Sequence, residues 1–270
     1  MSASEAPLSI GRIALTVNDL DVVAAFYEDV IGLAPIGRDG ESALLGVNGI
    51  PLVELRKDLA AQRRPNEAGL FHTAFLLPSR RDLGLWTRHI RQVGVQLDGA
   101  SDHLVSEALY LNDPEGNGIE VYVDRPRSDW IRHGDEIEMA TLPLDLSDLA
   151  KVSGEWTGTP DGTVIGHVHL RVGDVETADA FMTGTLGLTR TARLPSAGWY
   201  GSGGYHHHLA GNVWHSRGAK QRSPGSTGLA EIELLVQPHT LPVGVIVDPW
   251  GTKFTISVVQ TLTLNSTQPN

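Results

Sequence analysis

The side chains able to do chemistry in this sequence are histidines, carboxylates and tyrosines, because its 270 residues include no cysteine. Disulfides, thiolate metal sites and a cysteine nucleophile are thereby excluded, and any metal must rest on His, Asp, Glu or water. Three of the 11 histidines are consecutive, His206-His207-His208, just after a pair of glycines. His72 and His167 stand within β-rich runs, and Glu120 lies in another such run, ten residues after Tyr110. Imidazole titrates close to working pH, so each histidine is a candidate metal ligand or proton carrier. A lone strand histidine is ordinarily a packed or surface residue. Histidines at equivalent places in repeated units carry more weight.

Such units are present. Residues 11–33 (GRIALTVNDLDVVAAFYEDVIGL) align without a gap to 166–188 (GHVHLRVGDVETADAFMTGTLGL). The matched positions include Gly11 with Gly166, Asp19 with Asp174, Phe26 with Phe181 and Gly32-Leu33 with Gly187-Leu188. In each copy alternating apolar residues (Ile13, Leu15, Val17; Val168, Leu170, Val172) predict a half-buried strand. The aspartate then caps a helix of apolar periodicity, and glycine closes it. A looser pair of copies opens with GLFHTAFLL (69–77) and GLAEIELLV (228–236) and ends with DPEGNGIEVYV (113–123) and DPWGTKFTISV (248–258). The spacing predicts four modules, at about 8–57, 67–126, 162–218 and 225–260. The fourth is truncated, because only VQPHTLPVG separates its first strand from the next. By sequence they group as 8–126 and 162–260, joined by an ordered linker at 127–161 rich in Asp, Pro and Gly. Short strands with one helix per module imply an α+β fold with mainly antiparallel sheets.

The net charge of −11 argues against a nucleic-acid or anionic-membrane surface, which requires clustered Lys and Arg. No apolar run approaches the ~18 residues of a membrane span. The start MSASEAPLSIGR lacks a basic segment and a long apolar stretch, so a cytoplasmic location is the expectation.

A strand, then V-x-D, then a helix ending in L-G-L resembles the vicinal oxygen chelate superfamily of glyoxalases, bleomycin-resistance proteins and extradiol dioxygenases. The stretches GHVHLRV (166–172), GGYHHHLAGNVW (203–214) and ASDHLVSEALYLNDPEGNGIEVYVDRP (100–126) resemble the bacterial four-module catechol 2,3-dioxygenases. The resemblance implies four βαβββ-type modules in two half-open sheet barrels. It also implies a metal held by first-strand and last-strand residues. By that rule the modules offer Arg12 and Glu54, His72 and Glu120, His167 with one of His206–His208, and Glu231 and Thr255. Pairing the two central modules gives His72, Glu120 and His167, the set of two histidines and a glutamate that extradiol enzymes use. Sequential pairing, first with second and third with fourth, is the alternative. Two imidazoles and a carboxylate suit Fe(II), or Mn(II), with positions left open.

The resemblance extends to proton chemistry. An H-H-x-L-A pattern places an acid–base histidine at His207, with His206 and His208 as fallbacks on the opposite strand face. Asp102-His103-Leu104-Val105-Ser106 leads to Tyr110, an expected hydrogen-bond donor to substrate, while His103 is read as a turn brace and His169 as ordinary packing. The expected activity is ring cleavage of a catechol-like aromatic diol with O₂. Two alternatives are a glyoxalase-like isomerase or lyase, with a four-residue metal set, and a non-enzymatic binding protein. In the last, Trp86, Trp199, Trp214 and Trp250 are candidates to line an aromatic cavity. Open sheet edges leave room for a homo-oligomer.

Overall fold

The computed structural model describes residues 3–259; position 260, the expected end of module four, lies outside them. Module one runs β1 (Leu8–Val17), α1 (Leu20–Phe26), β2 (Ala34–Arg38), β3 (Ser42–Val47) and β4 (Ile50–Lys57). Module two repeats this as β5 (Gly69–Leu76), α2 (Arg80–Gln92), β6 (Gly99–Asp102), β7 (Ser106–Asn112) and β8 (Gly118–Asp124). The connection holds short β9 (Arg132–His133), β10 (Glu136–Ile137) and β11 (Leu142–Pro143), then one helical turn, α3 (Leu146–Leu149). Module three is β12 (Val164–Arg171), α4 (Val175–Asp179), β13 (Thr189–Leu194), β14 (Ala197–Gly201) and β15 (Leu209–Asn212). Module four has β16 (Gly228–Val236), β17 (Gly244–Val247) and β18 (Lys253–Val258), without a helix between its first two strands. The fold is α+β, as expected.

Local chemistry sets the helix starts. Asp19 accepts the Val22 N–H and Asp174 accepts the Thr177 N–H, each satisfying a backbone donor that the first turn leaves free. Both helices then loosen into a π turn, Tyr27–Ile31 and Ala180–Thr185, ending near a left-handed glycine, Gly32 or Gly187. In module two Ser79 caps α2, whose Trp86 is fully buried and donates its indole N–H to the Val30 carbonyl at 2.9 Å.

The strands form two main sheets. One has the order β17-β18-β16-β1-β4-β3-β2 and the other β11-β6-β7-β8-β5-β12-β15-β14-β13. Modules one and four therefore share a sheet, as do modules two and three. The sheets cut across the sequence grouping of 8–126 and 162–260. In each module the first and last strands lie side by side and parallel, and the first strands of the two modules pair antiparallel at the centre.

The glycines shared by the repeat mark bulges in those central pairings. Ile165 pairs with Phe75, but His167 pairs with Ala74, so Gly166 is an extra residue in β12. A one-residue slip exchanges the faces of a strand. Ile165 packs in the core before the bulge and Val168 and Leu170 after it, leaving His167 and His169 on the other face. Gly11 sits in the matching bulge of β1, where core positions change from Leu8 and Ile10 to Ile13, Leu15 and Val17. A Cβ on Gly166 would run into the hydroxyl of buried Tyr122, so any larger residue there must displace that ring.

Candidate metal centre

Ala74 is the geometric middle of the site. It pairs with Glu120 of β8 on one side and with His167 of β12 on the other, while His72 lies two residues away on the same strand face. Its methyl leaves space where a longer side chain would stand. His72, Glu120 and His167 each offer a ligand atom, all within 4.8 Å of one another, and all three residues are buried. Glu120 Oε2 is 3.0 Å from His72 Nε2 and 3.1 Å from His167 Nε2. The His72 Nε2 nevertheless has no hydrogen-bond partner of acceptable geometry, an uncommon state for a buried nitrogen.

Electrostatics prepares these groups for a cation. Burial works to raise Glu120, but the neighbouring His167 and His72 hold it well below the usual carboxylate range. Burial lowers His167 to about 4, outweighing the pull of Glu120. An ionised Glu120 beside a neutral His167 is the protonation state that metal binding needs. The donor set fits a divalent ion.

The matching place in the other sheet is filled differently. Ala14 pairs with Glu54 and Glu231, as Ala74 does with Glu120 and His167. Arg12, at the position corresponding to His72, puts its guanidinium against Glu54 and 3.7 Å from both Glu231 and Glu233. Arg56 and Thr255 take up further oxygens of Glu54 and Glu231. A built-in organic cation thus neutralises the carboxylates of that sheet.

A cavity of about 650 Å³ opens above the triad. His207 and Tyr110 line it; His206 and His208 do not. The histidine run is an irregular segment before β15, so strand alternation does not sort its side chains. His208 faces the N-terminal segment: its Nε2 donates to the Ala3 carbonyl at 3.0 Å and its Nδ1 accepts the Ser202 N–H at 3.2 Å. His206 Nε2 donates to Asp124 at 3.0 Å, beside the Tyr205 hydroxyl that donates to the same oxygen. In the neutral ring the remaining His206 nitrogen, Nδ1, accepts the Nδ1–H of His207 at 2.7 Å. This leaves Nε2 of His207 with the lone pair. Burial first, and the surrounding imidazoles next, keep His207 neutral by lowering it well below the ordinary histidine value.

Tyr110 pairs with Glu120 across β7 and β8. His103 donates from Nδ1 to the Ala140 carbonyl (2.6 Å), so its Nε2 accepts the Tyr110 hydroxyl proton (2.7 Å). More than a turn brace, His103 sets the tyrosine. Burial, then the charge of Glu120, raises Tyr110 well above its ordinary value and keeps the phenol protonated.

Two features were missed in the sequence. His169 lines the cavity, pairs with His72 across the central strands, and packs against Phe71, Trp199 and Trp214. Its spacing of two from His167 was the available signal. Residues 136–141 of the connection form one wall, and β11 extends the sheet of modules two and three by pairing with β6. Trp199 and Trp214 line the cavity, whereas Trp86 and Trp250 belong to the core.

This architecture, a paired-module half-barrel around a buried carboxylate and two imidazoles, has known relatives. Residues 9–121 match the Glyoxalase/Bleomycin resistance protein/Dioxygenase superfamily. The chain is 38% identical over 238 residues to a catechol-2,3-dioxygenase of Bacillus subtilis (strain 168), covering 85% of this chain and 83% of that one. It is 27% identical over 165 residues to biphenyl-2,3-diol 1,2-dioxygenase 3 of Rhodococcus globerulus, covering 56% of this chain and 84% of the relative. A solved Bacillus subtilis subsp. subtilis str. 168 structure shares the fold at a TM-score of 0.63 and 13% identity, over 92% of this chain and 84% of that one. The chain belongs to the glyoxalase/bleomycin resistance protein/dioxygenase superfamily. Among the described residues no helix is long and apolar enough to cross a membrane.

Proposed function

We propose that the chain is a metal-dependent, extradiol-type ring-cleavage dioxygenase that opens a catechol-like aromatic diol beside its hydroxyls, using O₂. The observation that carries this reading is the convergence of His72, Glu120 and His167 in a chain 38% identical to a catechol-2,3-dioxygenase. These three residues would hold Fe(II), with Mn(II) as the alternative. A bound Fe(II) supplies open coordination positions and redox chemistry with O₂.

The protein's own groups do the rest. Phe71, His169, Trp199 and Trp214 present ring surfaces to a planar substrate and keep water from its faces. His207 Nε2 accepts a proton from a diol hydroxyl and later returns it, since its tautomer is set by His206 and Asp124. His206 is a positioning residue in this reading, and His208 braces the fold. Tyr110, whose hydroxyl proton goes to His103, offers its oxygen as acceptor to a substrate hydroxyl, not as the donor the motif implied. A glyoxalase-like isomerase or lyase would call for a fourth protein ligand. The cluster among the described residues contains three.

The test is anaerobic loading with Fe(II), then exposure to a panel of catechols with an oxygen electrode. Oxygen uptake with a coloured ring-opened product is expected. No uptake across the panel, with iron demonstrably bound, would contradict the assignment.

A further inference from the structure

Away from the cavity, four arginines meet at the seam between the two sheets, on a chain of net charge −11. Arg63, Arg64, Arg171 and Arg222 line a cleft of about 30 Å³ between the starts of β5 and β16, the end of β12 and the β7–β8 turn. Arg64 donates to the Gln62 side chain at 3.2 Å and has one ion-pair contact, 3.9 Å to Glu67. Among the described residues, Arg63, Arg171 and Arg222 have no carboxylate oxygen within ion-pair distance, and Arg63 has no side-chain hydrogen bond. Arg171 donates through Nη1 to the Pro65 carbonyl at 2.8 Å, while its buried Nε has no partner. Arg222 is held by the Leu229 carbonyl.

The two carboxylates of the cleft are already engaged. Glu67 accepts the N–H and hydroxyl of Ser223, at 2.9 and 2.7 Å. Glu115 accepts the N–H groups of Asn18 and Asp19, at 2.8 and 2.7 Å. Four arginines against the two carboxylates of the lining, with Asp248 acting on Arg222 from behind, leave the cleft net positive. Burial first, then the charges of Arg63 and Arg222, press the Arg171 guanidinium below its ordinary pKa. Arg63 and Arg171 are therefore held near each other with no carboxylate paired to either. The backbone gives way to them: Gly69, Gly116 and Gly228 line the cleft with positive φ, and a Cβ on Gly116 would strike the Arg63 guanidinium.

We propose that this cleft is a second binding site, for a small tetrahedral oxyanion: free phosphate or the phosphoryl group of a phosphomonoester. Guanidinium groups bind such oxygens in paired hydrogen bonds, and the unpartnered Arg63 and Arg171 donors supply them. At ~10–15 Å³ per water position, the cleft takes about two to three water-sized groups before it widens toward solvent, room for the oxygens of a small anion. Through Arg63, Glu115, Gly116 and Thr227 it joins a groove of about 370 Å³, sized for the organic part of an ester.

The experiment is thermal unfolding of the metal-loaded protein in 20 mM inorganic phosphate, in glycerol 3-phosphate, and in sodium chloride of equal ionic strength. Phosphate should raise Tm by about 2 °C or more over chloride. Arg171→Gln and Arg63→Gln should abolish that rise. Arg63 is exposed and unpartnered, so its variant folds and decides the question alone if Arg171→Gln does not. A larger rise with the ester assigns the groove to an ester; an ester rise no larger than that of phosphate assigns the free ion. No rise over chloride, or an equal rise in Arg63→Gln, overturns the proposal.

Discussion

His206 Nδ1 and His207 Nδ1 lie 2.7 Å apart, and the direction of their hydrogen bond is set outside the cavity, by Asp124. The carboxylate can only accept from His206 Nε2, so in the neutral ring the next bond runs from His207 to His206. Replacing His207 by Ala should lower kcat by about 10²–10⁴, the usual worth of a placed acid–base group, with the metal retained. His206→Phe should cost about tenfold in kcat at unchanged KM and should shift the kcat–pH profile, because the tautomer is no longer held. Steady-state kinetics from pH 5 to 9 checks both. An unaltered profile in His206→Phe would show that the contact is only structural.

The second expectation concerns the bulge that brings His167 to the cavity. Gly166→Ala puts a methyl where the Tyr122 hydroxyl lies, and that hydroxyl is also bonded to Tyr205 at 2.8 Å. Overpacking of this kind costs about 1–3 kcal/mol. Urea unfolding should show the loss as a lower midpoint at unchanged slope. The variant should also bind metal more weakly, as β12 shifts under His167. A stability equal to that of the parent would mean that the bulge is not constrained there.

Much of this arrangement is legible in the sequence. Gly11 and Gly166 recur because β1 and β12 each carry a bulge there, and Asp19 and Asp174 recur because the helices that follow need a cap. His72, Glu120 and His167 stood out because repeats place them at equivalent strand positions. Which modules share a sheet was less accessible: the β5–β12 and β1–β16 pairings join residues far apart in the chain, and no local periodicity encodes them. The wall at 136–141 has little regular structure, so its composition reads as a connection. Cavity-facing His207 is separated from His206 and His208 by something other than strand alternation. Alternation sorts residues only within a strand, and these three precede one.

The third expectation follows from His208, which is buried and neutral, with burial lowering it to about 3 against an ordinary 6.5. Its folded pKa is depressed, so the unfolded chain takes up a proton below about pH 6.5 that the folded chain refuses until about pH 3. Stability from this group is complete above 6.5 and falls as pH drops through that window, by up to about 1.4 kcal/mol per pH unit. His208→Gln should flatten the dependence of unfolding free energy on pH between 6 and 4 by about one proton. An identical slope in parent and variant would exclude His208 as a contributor.

The central claim is that His72, Glu120 and His167 hold one metal ion together. Its most direct test is iron content after anaerobic loading and desalting, measured by plasma mass spectrometry on the parent and on His72→Ala, Glu120→Ala and His167→Ala. The account predicts one iron per parent chain and near-complete loss in each folded variant, since removing a ligand from a three-residue set leaves too few donors. Full iron content in any of the three folded variants would contradict it.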